Sequence, residues 1–332
     1  MKIAFFSTQV YDRQFFSEHN AKFGFELEYF EAPLSMQTAE LVNQCQVVCV
    51  FVNDVLNEAL IAVLASKGVK IIALRCAGFN NVDLNAAKHY GIKVCRVPAY
   101  SPESVAEHAV AMILTLNRKT NKAYNRVREQ NFSLVGLLGF NLHGKKVAVI
   151  GTGKIGIAFA KIMLGFGCEV HAFDLIENKE LAALGVQYQS LLEVIKDADI
   201  ISLHCPLNEQ TKHMVDAHFL THTKKGVMLI NTSRGGLIAT NDAIEALKSG
   251  HIGYLGIDVY EQEEKLFFRD LSSTIISDDT IQRLMSFPNV LITAHQAFFT
   301  QEALDHIAHT TLDTVQHLIA NPLFNEGGTV LV

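Results

Sequence analysis

Three polar sites stand at the ends of predicted β-strands, namely Arg234, one acid among residues 261–264, and His295. The carboxyl ends of parallel strands meet at one edge of a sheet, so we expect these side chains to lie close together. Arginine binds a carboxylate through two parallel hydrogen bonds, and histidine exchanges a proton near neutral pH. A lone histidine is more often structural, and a lone acid in a cluster is more often solvated. The combination indicates proton transfer on a bound anion.

A glycine-rich turn precedes these groups and joins a predicted strand to a predicted helix that runs to about Gly165. Its glycines, Gly151, Gly153 and Gly156, have the spacing G-x-G-x-x-G. In this pattern the first glycine permits a tight turn, the second lets a pyrophosphate approach the backbone, and the third lets the helix pack on the strand. Ordinary loops also produce this spacing by chance. The flanking strand and helix favour a dinucleotide site.

A carboxylate in the position expected for ribose binding supports the same prediction. Asp174 ends the next predicted strand, 18 residues beyond Gly156, where roughly 20 are expected. It would accept hydrogen bonds from a ribose diol but repel a 2′-phosphate, and residues 175–178 contain no arginine to reverse this preference. We therefore predict NAD(H) as the cofactor, not NADP(H).

A hydride carrier beside these polar groups fits a redox reaction at a carbon that bears a hydroxyl or a keto group. Such a reaction needs the carrier, a proton donor and acceptor near neutrality, a group that orients it, and a cation for the substrate's charge.

Both halves of the sequence alternate β-rich runs with helical patterns, which is typical of parallel sheets covered by helices. The strands predicted in the first half are Lys2–Ser7, Glu26–Phe30, Val47–Val52, Lys70–Arg75 and Lys93–Val97. Those predicted in the second half are Val147–Ile150, Gly167–Asp174, Val186–Gln189, Asp199–Cys205, Gly226–Ser233, Gly253–Tyr260 and Asn289–Thr293. The fold class predicted is α/β, with two doubly wound parallel-sheet domains. A Rossmann-type domain at 100–298 would be inserted in a flavodoxin-like catalytic domain at 1–99 and 299–332, with a cleft between them.

Two segments of the predicted fold have more than one interpretation. The turns after the fourth and fifth strands, at 76–80 and 98–102, either contact substrate or only reverse the chain. One long helix is predicted from Pro102 to about Asn131, followed by an apolar loop at 132–140. This loop forms a subunit interface or packs within the chain, and we favour the interface.

The composition excludes several classes of protein. The 332 residues suggest about two domains, and 49% hydrophobic with 19% charged residues is typical of a soluble globular protein. The net charge of -6, without a basic run, argues against nucleic acid or an anionic membrane as partner. The six cysteines lack zinc spacing and a C-x-x-C motif, so we expect reduced thiols, no metal and a cytoplasmic location.

On these motifs the sequence resembles the D-isomer-specific 2-hydroxyacid dehydrogenases, and within that family the branch of bacterial fermentative D-lactate dehydrogenases. The resemblance covers essentially the whole chain. Its most specific portions are residues 142–156, 201–207, 231–236, 258–263 and 293–298. The resemblance implies reversible, NADH-dependent reduction of pyruvate to D-lactate.

The resemblance also implies a role for individual residues. Arg234 would bind the carboxylate and polarise the ketone, His295 would be the acid and base, and Glu263 would orient His295. The implied cofactor contacts are Gly151, Gly153, Lys154, Ile155, Gly156, Asp174, Cys205, Pro206, Thr211, Thr232, Ser233 and Asp258. The implied substrate contacts are Ala77, Gly78 and Tyr100, with Phe51, Phe298 and Phe299 as candidate walls of a small pocket.

Two other functions stay open at this point. The enzyme would act on a bulkier 2-ketoacid if the pocket is larger than expected. A non-catalytic NADH-sensing scaffold is the second alternative, because some corepressors share this fold and its catalytic residues. We expect an enzyme that forms a homo-oligomer, either a dimer or a tetramer.

Overall fold

The structure, a computed structural model, describes residues 1–325 and 327–332. The chain forms two compact units. Met1–Ser101 and Phe299–Val332 make up the first unit, and Pro102–Phe298 makes up the second.

Twelve strands and twelve helices are present in the described residues, numbered here in chain order. The strands are β1 Lys2–Phe5, β2 Glu26–Tyr29, β3 Val47–Val50, β4 Ile71–Leu74, β5 Lys93–Arg96, β6 Lys146–Ile150, β7 Glu169–Phe173, β8 Gln187–Tyr188, β9 Ile200–Leu203, β10 Val227–Asn231, β11 Ile252–Ile257 and β12 Val290–Ile292. The helices are α1 Val10–Asn20, α2 Glu58–Ser66, α3 Leu84–His89, α4 Pro102–Arg118, α5 Thr120–Arg128, α6 Lys154–Gly165, α7 Lys179–Ala183, α8 Leu191–Lys196, α9 Ala217–Thr221, α10 Thr240–Lys248, α11 Asp279–Met285 and α12 Gln301–Ala320. Short 3-10 helices lie at Ala39–Val42, Gly235–Leu237 and Glu263–Lys265.

The sheet of the first unit is parallel and has the order β2-β1-β3-β4-β5. Its central strands β3 and β4 are apolar and buried at every position, as expected for strands covered on both faces. The C-terminal tail returns to this unit, where α12 packs on α1 and Val330 pairs with Cys95 at the edge of β5.

The sheet of the second unit is also parallel and has the order β12-β11-β10-β9-β6-β7-β8. From β6 the chain proceeds to β7 and β8 on one side, and from β9 to β12 on the other. The order therefore reverses between β6 and β9, and ligands of such sheets bind beyond the carboxyl ends of the strands at this reversal. The prediction of two parallel α/β domains is confirmed.

The single long helix predicted from Pro102 to about Asn131 is wrong. It is broken at Lys119, whose φ of 51° lies in the left-handed region and separates α4 from α5. The Lys119 ammonium donates to the carbonyl of Leu138, so this residue ties the break to the following loop. Helix α5 buries none of its residues, which explains why its sequence is polar.

The apolar loop 132–140 is tied to α4 and α5 by hydrogen bonds to its backbone, and at its end the Phe140 side chain packs on the core of the second unit. Arg126 donates to the Val135 carbonyl, and Asn117 both donates to and accepts from the backbone of Phe140. The side chains that point outward are 73–88% exposed, namely Phe132, Leu134, Val135 and Leu138. The alternative that the loop packs within the chain is therefore wrong for these four side chains.

A helix that crosses a bilayer must be both long and predominantly apolar. Within the residues that the structure describes, no helix is both long enough and apolar enough to do so.

Candidate active site

His295 and Glu263 form a direct pair in the second unit. His295 follows β12, and Glu263 lies beyond the end of the adjacent strand β11. The Nδ1 atom of His295 is 2.8 Å from Glu263 Oε1, and both side chains are about four-fifths buried, with exposures of 18% and 19%. The second oxygen of Glu263 accepts from the Tyr260 N–H at 2.9 Å. Because both carboxylate oxygens are held, Glu263 directs Nδ1–H of His295 inward and leaves Nε2 for a reactant.

Arg234 lies in a loop that the last residue of β10 organises. Asn231 is fully buried, and its amide donates to the Arg234 carbonyl at 2.9 Å and accepts from the Ser233 N–H at 3.0 Å. The guanidinium of Arg234 donates to the Ser233 carbonyl. Since buried amides with both ends satisfied restrict the backbone around them, Asn231 fixes the turn that carries Arg234.

Gly235 brings this loop against the segment that carries Glu263. A Cβ atom at position 235 would overlap the carbonyl group of Tyr260 and the nitrogen of Glu261. Only glycine permits this approach of the two backbones. The Arg234 loop therefore contacts the same Tyr260 whose N–H holds Glu263.

The loop that carries His295 is held by Asp258. The Asp258 carboxylate is fully buried and accepts from the N–H groups of Gln296 and Ala297 and from the hydroxyl of Thr293. Burial alone would raise the pKa of this carboxyl, but its hydrogen bonds from His108, Thr293 and the loop backbone outweigh burial and lower the pKa. Asp258 is therefore an anion engaged within the protein, and its predicted cofactor contact stays a prediction.

The glycine turn has the close contacts expected of a phosphate-binding loop. Gly151 has a φ of +96°, and a Cβ there would lie 2.7 Å from the nitrogen of Cys205. A Cβ at Gly156 would overlap the Gly151 carbonyl oxygen, so the helix start packs on the turn. At Gly153, by contrast, a Cβ would meet nothing within 4 Å. The turn is therefore tight on the protein side and open at its middle glycine.

Two observations at this turn, and a third at the end of β10, fit a bound dinucleotide. Gly153 caps α6 without a side-chain hydrogen bond, and the first turn of α6, which begins with Lys154 and Ile155, contains no acid. The amides at this positive helix end therefore suit a pyrophosphate. The Thr232 hydroxyl, at the end of β10, is buried without a hydrogen-bond partner. A buried hydroxyl that lacks a partner is consistent with a ligand group that satisfies it.

Asp174 ends β7 beside the same turn. Its Oδ2 accepts from the N–H and hydroxyl of Thr152, and its Oδ1 accepts from the Ile176 N–H. Partial burial acts to raise the pKa of Asp174, but the hydrogen bonds from Thr152, Ile176 and Leu175 outweigh it and lower the pKa. Asp174 is thus ionised at neutral pH and keeps unused acceptor capacity for a hydroxyl.

The other predicted cofactor residues occupy the ends of β9 and β10. The Ser233 hydroxyl donates to the Cys205 carbonyl at 2.7 Å, which joins these two strand ends. Thr211 donates to the Pro206 carbonyl at 2.7 Å and so closes the exposed loop between them. Burial raises the pKa of the Cys205 thiol to about 11, so it stays protonated and unreactive.

The predicted substrate residues lie in the first unit. The Ala77 carbonyl accepts from Arg96 at 2.9 Å, and the Cys76 carbonyl accepts from the Val97 N–H. In a trans peptide the N–H points opposite to the carbonyl. The N–H groups of Ala77 and Gly78 therefore point away from β5, beyond the end of β4, as an anion-binding turn requires.

The aromatic residues Phe51 and Phe299, proposed as pocket walls, each contact another residue of the first unit. The Phe51 ring packs under the Arg75 guanidinium at 5.0 Å, and the Phe299 ring meets Tyr11 edge to face at 4.8 Å. The Tyr100 carbonyl accepts from His306 of α12 at 2.7 Å.

Sequence reasoning assigned no role to several residues that shape the site. Asn231 and Tyr260 lie inside motifs that were recognised, but their hydrogen bonds depend on the folded loops. Phe268 was missed altogether, and its ring lies 5.9 Å from the ring of His295. Phe298 approaches the same imidazole at 6.4 Å from another side. An aromatic residue at position 268 carries no local signal for such a contact.

Comparisons with known proteins agree with this geometry. The sequence pattern of the D-isomer specific 2-hydroxyacid dehydrogenase NAD binding domain matches residues 110–297. The chain is 51% identical over 318 residues to D-lactate dehydrogenase of Escherichia coli, covering 96% of this chain and 97% of the relative.

Two solved structures extend the similarity to the fold. The pyruvate reductase of Chlamydomonas reinhardtii superposes with a TM-score of 0.93 at 45% identity, covering 98% of each chain. D-lactate dehydrogenase of Aquifex aeolicus, complexed with NAD and lactic acid, superposes with a TM-score of 0.88 at 34% identity, covering 99% of each chain. The matches span both units and include the NAD-binding pattern, and so the chain belongs to the D-isomer-specific 2-hydroxyacid dehydrogenase family and is an NAD-dependent D-2-hydroxyacid dehydrogenase.

Proposed function

We propose that the enzyme reduces pyruvate to D-lactate with NADH and catalyses the reverse oxidation. The observation that carries this proposal is the His295–Glu263 pair, 2.8 Å apart, beside the Arg234 loop at the strand ends of an NAD-binding sheet. Relatives named D-lactate dehydrogenase and pyruvate reductase support the choice of substrate.

Arg234 binds the substrate and prepares its ketone. Its planar guanidinium suits a two-point grip on a 2-ketoacid, one point on the carboxylate and one on the keto oxygen. The N–H groups of Ala77 and Gly78, together with Tyr100, provide further contacts for the carboxylate. A cation near the keto oxygen stabilises the negative charge that grows there during reduction.

His295 supplies the proton. NADH, when bound, provides the hydride that the keto carbon accepts. Since Glu263 holds Nδ1–H, the proton that reaches the substrate oxygen comes from Nε2 of His295. In lactate oxidation the same nitrogen takes the hydroxyl proton. The Glu263 carboxylate keeps the ring oriented in both directions.

The cofactor residues divide by the part of the dinucleotide that they meet. Gly151, Gly153, Gly156, Lys154 and Ile155 form the cradle of the pyrophosphate. Asp174 binds the adenosine ribose and so selects NAD(H) over NADP(H). The ends of β9, β10 and β11 provide the remaining contacts, through Cys205, Pro206, Thr211, Thr232, Ser233 and Asp258.

The direct test is turnover with a series of 2-ketoacids of increasing side-chain length, measured as NADH oxidation. We expect pyruvate to give the highest kcat/KM, because relatives of this chain are named D-lactate dehydrogenase and pyruvate reductase. A maximum at a longer ketoacid would identify the bulkier-substrate enzyme instead. An absence of turnover with every ketoacid, together with intact NADH binding, would identify the NADH-sensing scaffold.

We also propose that the enzyme is a homo-oligomer in the cytoplasm. The outward side chains of the 132–140 loop are apolar, yet their backbone is held in place by Asn117, Lys119 and Arg126. An ordered apolar surface of this kind is typical of obligate subunit interfaces. Five of the six free cysteines are buried, which suits a reducing compartment.

The interface is tested by the double variant Leu134→Asp, Leu138→Asp, whose mass is measured by light scattering. We expect the wild type to be a dimer or tetramer and the variant to dissociate, because two buried carboxylates would lack partners. Leu323→Asp, at another exposed leucine, is the matched control and should keep the wild-type mass. A monomeric wild type at micromolar concentration would refute the proposal.

A further inference from the structure

A chain of three polar side chains joins α4 to the loop that carries His295. The Nε2 atom of His108, on α4, is 3.1 Å from the hydroxyl oxygen of Thr293, and 3.4 Å from Oδ1 of Asp258. The Thr293 hydroxyl in turn contacts the same Oδ1. These residues come from α4 and from the ends of β11 and β12, so no single motif contains them.

The direction of the hydrogen bonds in this chain follows from the single hydrogen of threonine. Asp258 is ionised and cannot donate, so the Thr293 hydroxyl donates to it. The Thr293 oxygen must then accept from His108, which places a proton on Nε2 of His108. The order of donation is therefore His108 to Thr293 to Asp258. This order excludes Thr293 as a nucleophile activated by His108, because its hydroxyl hydrogen is already committed to the carboxylate.

Asp258 transmits this contact to His295. Its backbone carbonyl accepts from the His295 N–H at 2.7 Å, and its carboxylate accepts from the two N–H groups that follow, those of Gln296 and Ala297, at 2.9 Å each. His295 has a φ of 52°, in the left-handed region, which residues with a side chain adopt uncommonly and at an energetic cost. Asp258 holds the backbone on both sides of His295.

We propose that His108 is a positioning residue. It fixes the backbone of the proton donor His295 through its contacts with Thr293 and Asp258. This positioning role rests on the proposed role of His295 as acid and adds to it a residue 187 positions away in the sequence. The imidazole of His108 is mostly buried, with a side-chain exposure of 17%, and it approaches a carboxylate of zero exposure. Without the His108 donor, the Thr293 oxygen loses a hydrogen bond and the Asp258 carboxylate loses a neighbour 3.4 Å away, so the loop loses a constraint on the His295 backbone.

The test compares two substitutions at position 108. His108→Gln keeps an N–H donor near the place of Nε2, and His108→Leu removes it while keeping a good helix former. His218→Gln, at an exposed histidine of the same unit, is the matched control. The measurements are kcat and KM for pyruvate, the NADH dissociation constant, the solvent isotope effect on kcat and the melting temperature.

We expect His108→Leu to lower kcat by about 10- to 100-fold, the loss typical of a misplaced catalytic group, with unchanged NADH binding. The solvent isotope effect should grow, because proton transfer becomes slower. His108→Gln should restore most of kcat, and His218→Gln should match the wild type. Thr293→Val removes the middle link of the same chain, so adding it to His108→Leu should cost little more than either change alone.

Three outcomes overturn the inference. The first is a wild-type kcat in His108→Leu, and the second is full additivity of the two substitutions. The third is an equal loss of kcat and melting temperature in the Leu and Gln variants, which would show that His108 only fills space. If His108→Leu does not fold, Thr293→Val alone decides, since a wild-type kcat in it contradicts the chain. A wild type without turnover on any 2-ketoacid would instead refute the proposed function, and this inference with it.

Discussion

The open space at Gly153 makes Gly153→Ala a sharp test of the cofactor site. The backbone at this residue has φ -68° and ψ -172°, an extended conformation that alanine adopts without strain. The added Cβ would meet no protein atom within 4 Å. The folded protein should therefore accept the methyl group, with a change in the free energy of unfolding of about 1 kcal/mol or less.

Cofactor binding should respond quite differently. If the pyrophosphate approaches the backbone at Gly153, the methyl group occupies space that the ligand needs. Overpacking of this kind costs about 1–3 kcal/mol, so the NADH dissociation constant should rise by about 5- to 150-fold. Gly156→Ala is the contrasting variant, because its Cβ overlaps the Gly151 carbonyl oxygen and should destabilise the protein itself.

The assay for this pair is a fluorescence titration with NADH beside a thermal melt of each variant. We expect Gly153→Ala to keep its melting temperature and to lose affinity, and Gly156→Ala to lose both. NADH binding by Gly153→Ala as tight as that of the wild type would refute the placement of the pyrophosphate at this turn.

Further predictions concern three carboxylates of the candidate site, Asp174, Glu263 and Asp258. Asp174→Ala should raise the KM for NADH by about tenfold and reduce the preference of the enzyme for NADH over NADPH. If the ratio of kcat/KM with NADH to kcat/KM with NADPH does not change, Asp174 does not bind the ribose. Glu263→Gln should lower kcat by about 10- to 100-fold. The Glu263 carboxylate accepts from both Nδ1–H of His295 and the Tyr260 N–H, whereas the single oxygen of the amide can accept from only one of them. A wild-type kcat in this variant would exclude the pairing of Glu263 with His295. Asp258→Asn should lower the free energy of unfolding at pH 7 by about 2–4 kcal/mol. Folding lowers the pKa of Asp258, so the stability difference between wild type and Asp258→Asn should shrink as the pH falls below about 4. Denaturant unfolding at pH 7 and at pH 3 measures this difference. An equal difference at the two pH values would contradict an ionised Asp258 in the folded protein.

Sequence reasoning predicted the sheets well because buried parallel strands are continuous apolar runs. Strands β3, β4 and β10 are buried at every position, and such runs are recognisable without knowledge of their neighbours. The glycine turn was equally predictable, since Gly151 and Gly156 fill positions where any side chain collides. The roles given to individual residues by family resemblance remain predictions.

Other features depend on tertiary contacts that no local pattern encodes. The break at Lys119 occurs in a helical sequence without proline or glycine, and the contact of its ammonium with the distant Leu138 carbonyl accompanies it. In the sequence, Asp258 is one of several acids that follow a predicted strand. In the structure it is completely buried beneath the His295 loop. His108 lies on the apolar face of a helix, where a histidine is ordinarily structural. Only the folded protein shows that Thr293 lies beside it.

The central claim is that His295 delivers the proton in ketoacid reduction, and His295→Gln tests it most directly. Steady-state NADH oxidation with pyruvate should fall by about 10²- to 10⁴-fold in kcat, the contribution typical of a positioned general acid. NADH titration of the same variant should give the wild-type dissociation constant, because the cradle at Gly151–Gly156 is unchanged. Near-normal turnover of His295→Gln would contradict the mechanism.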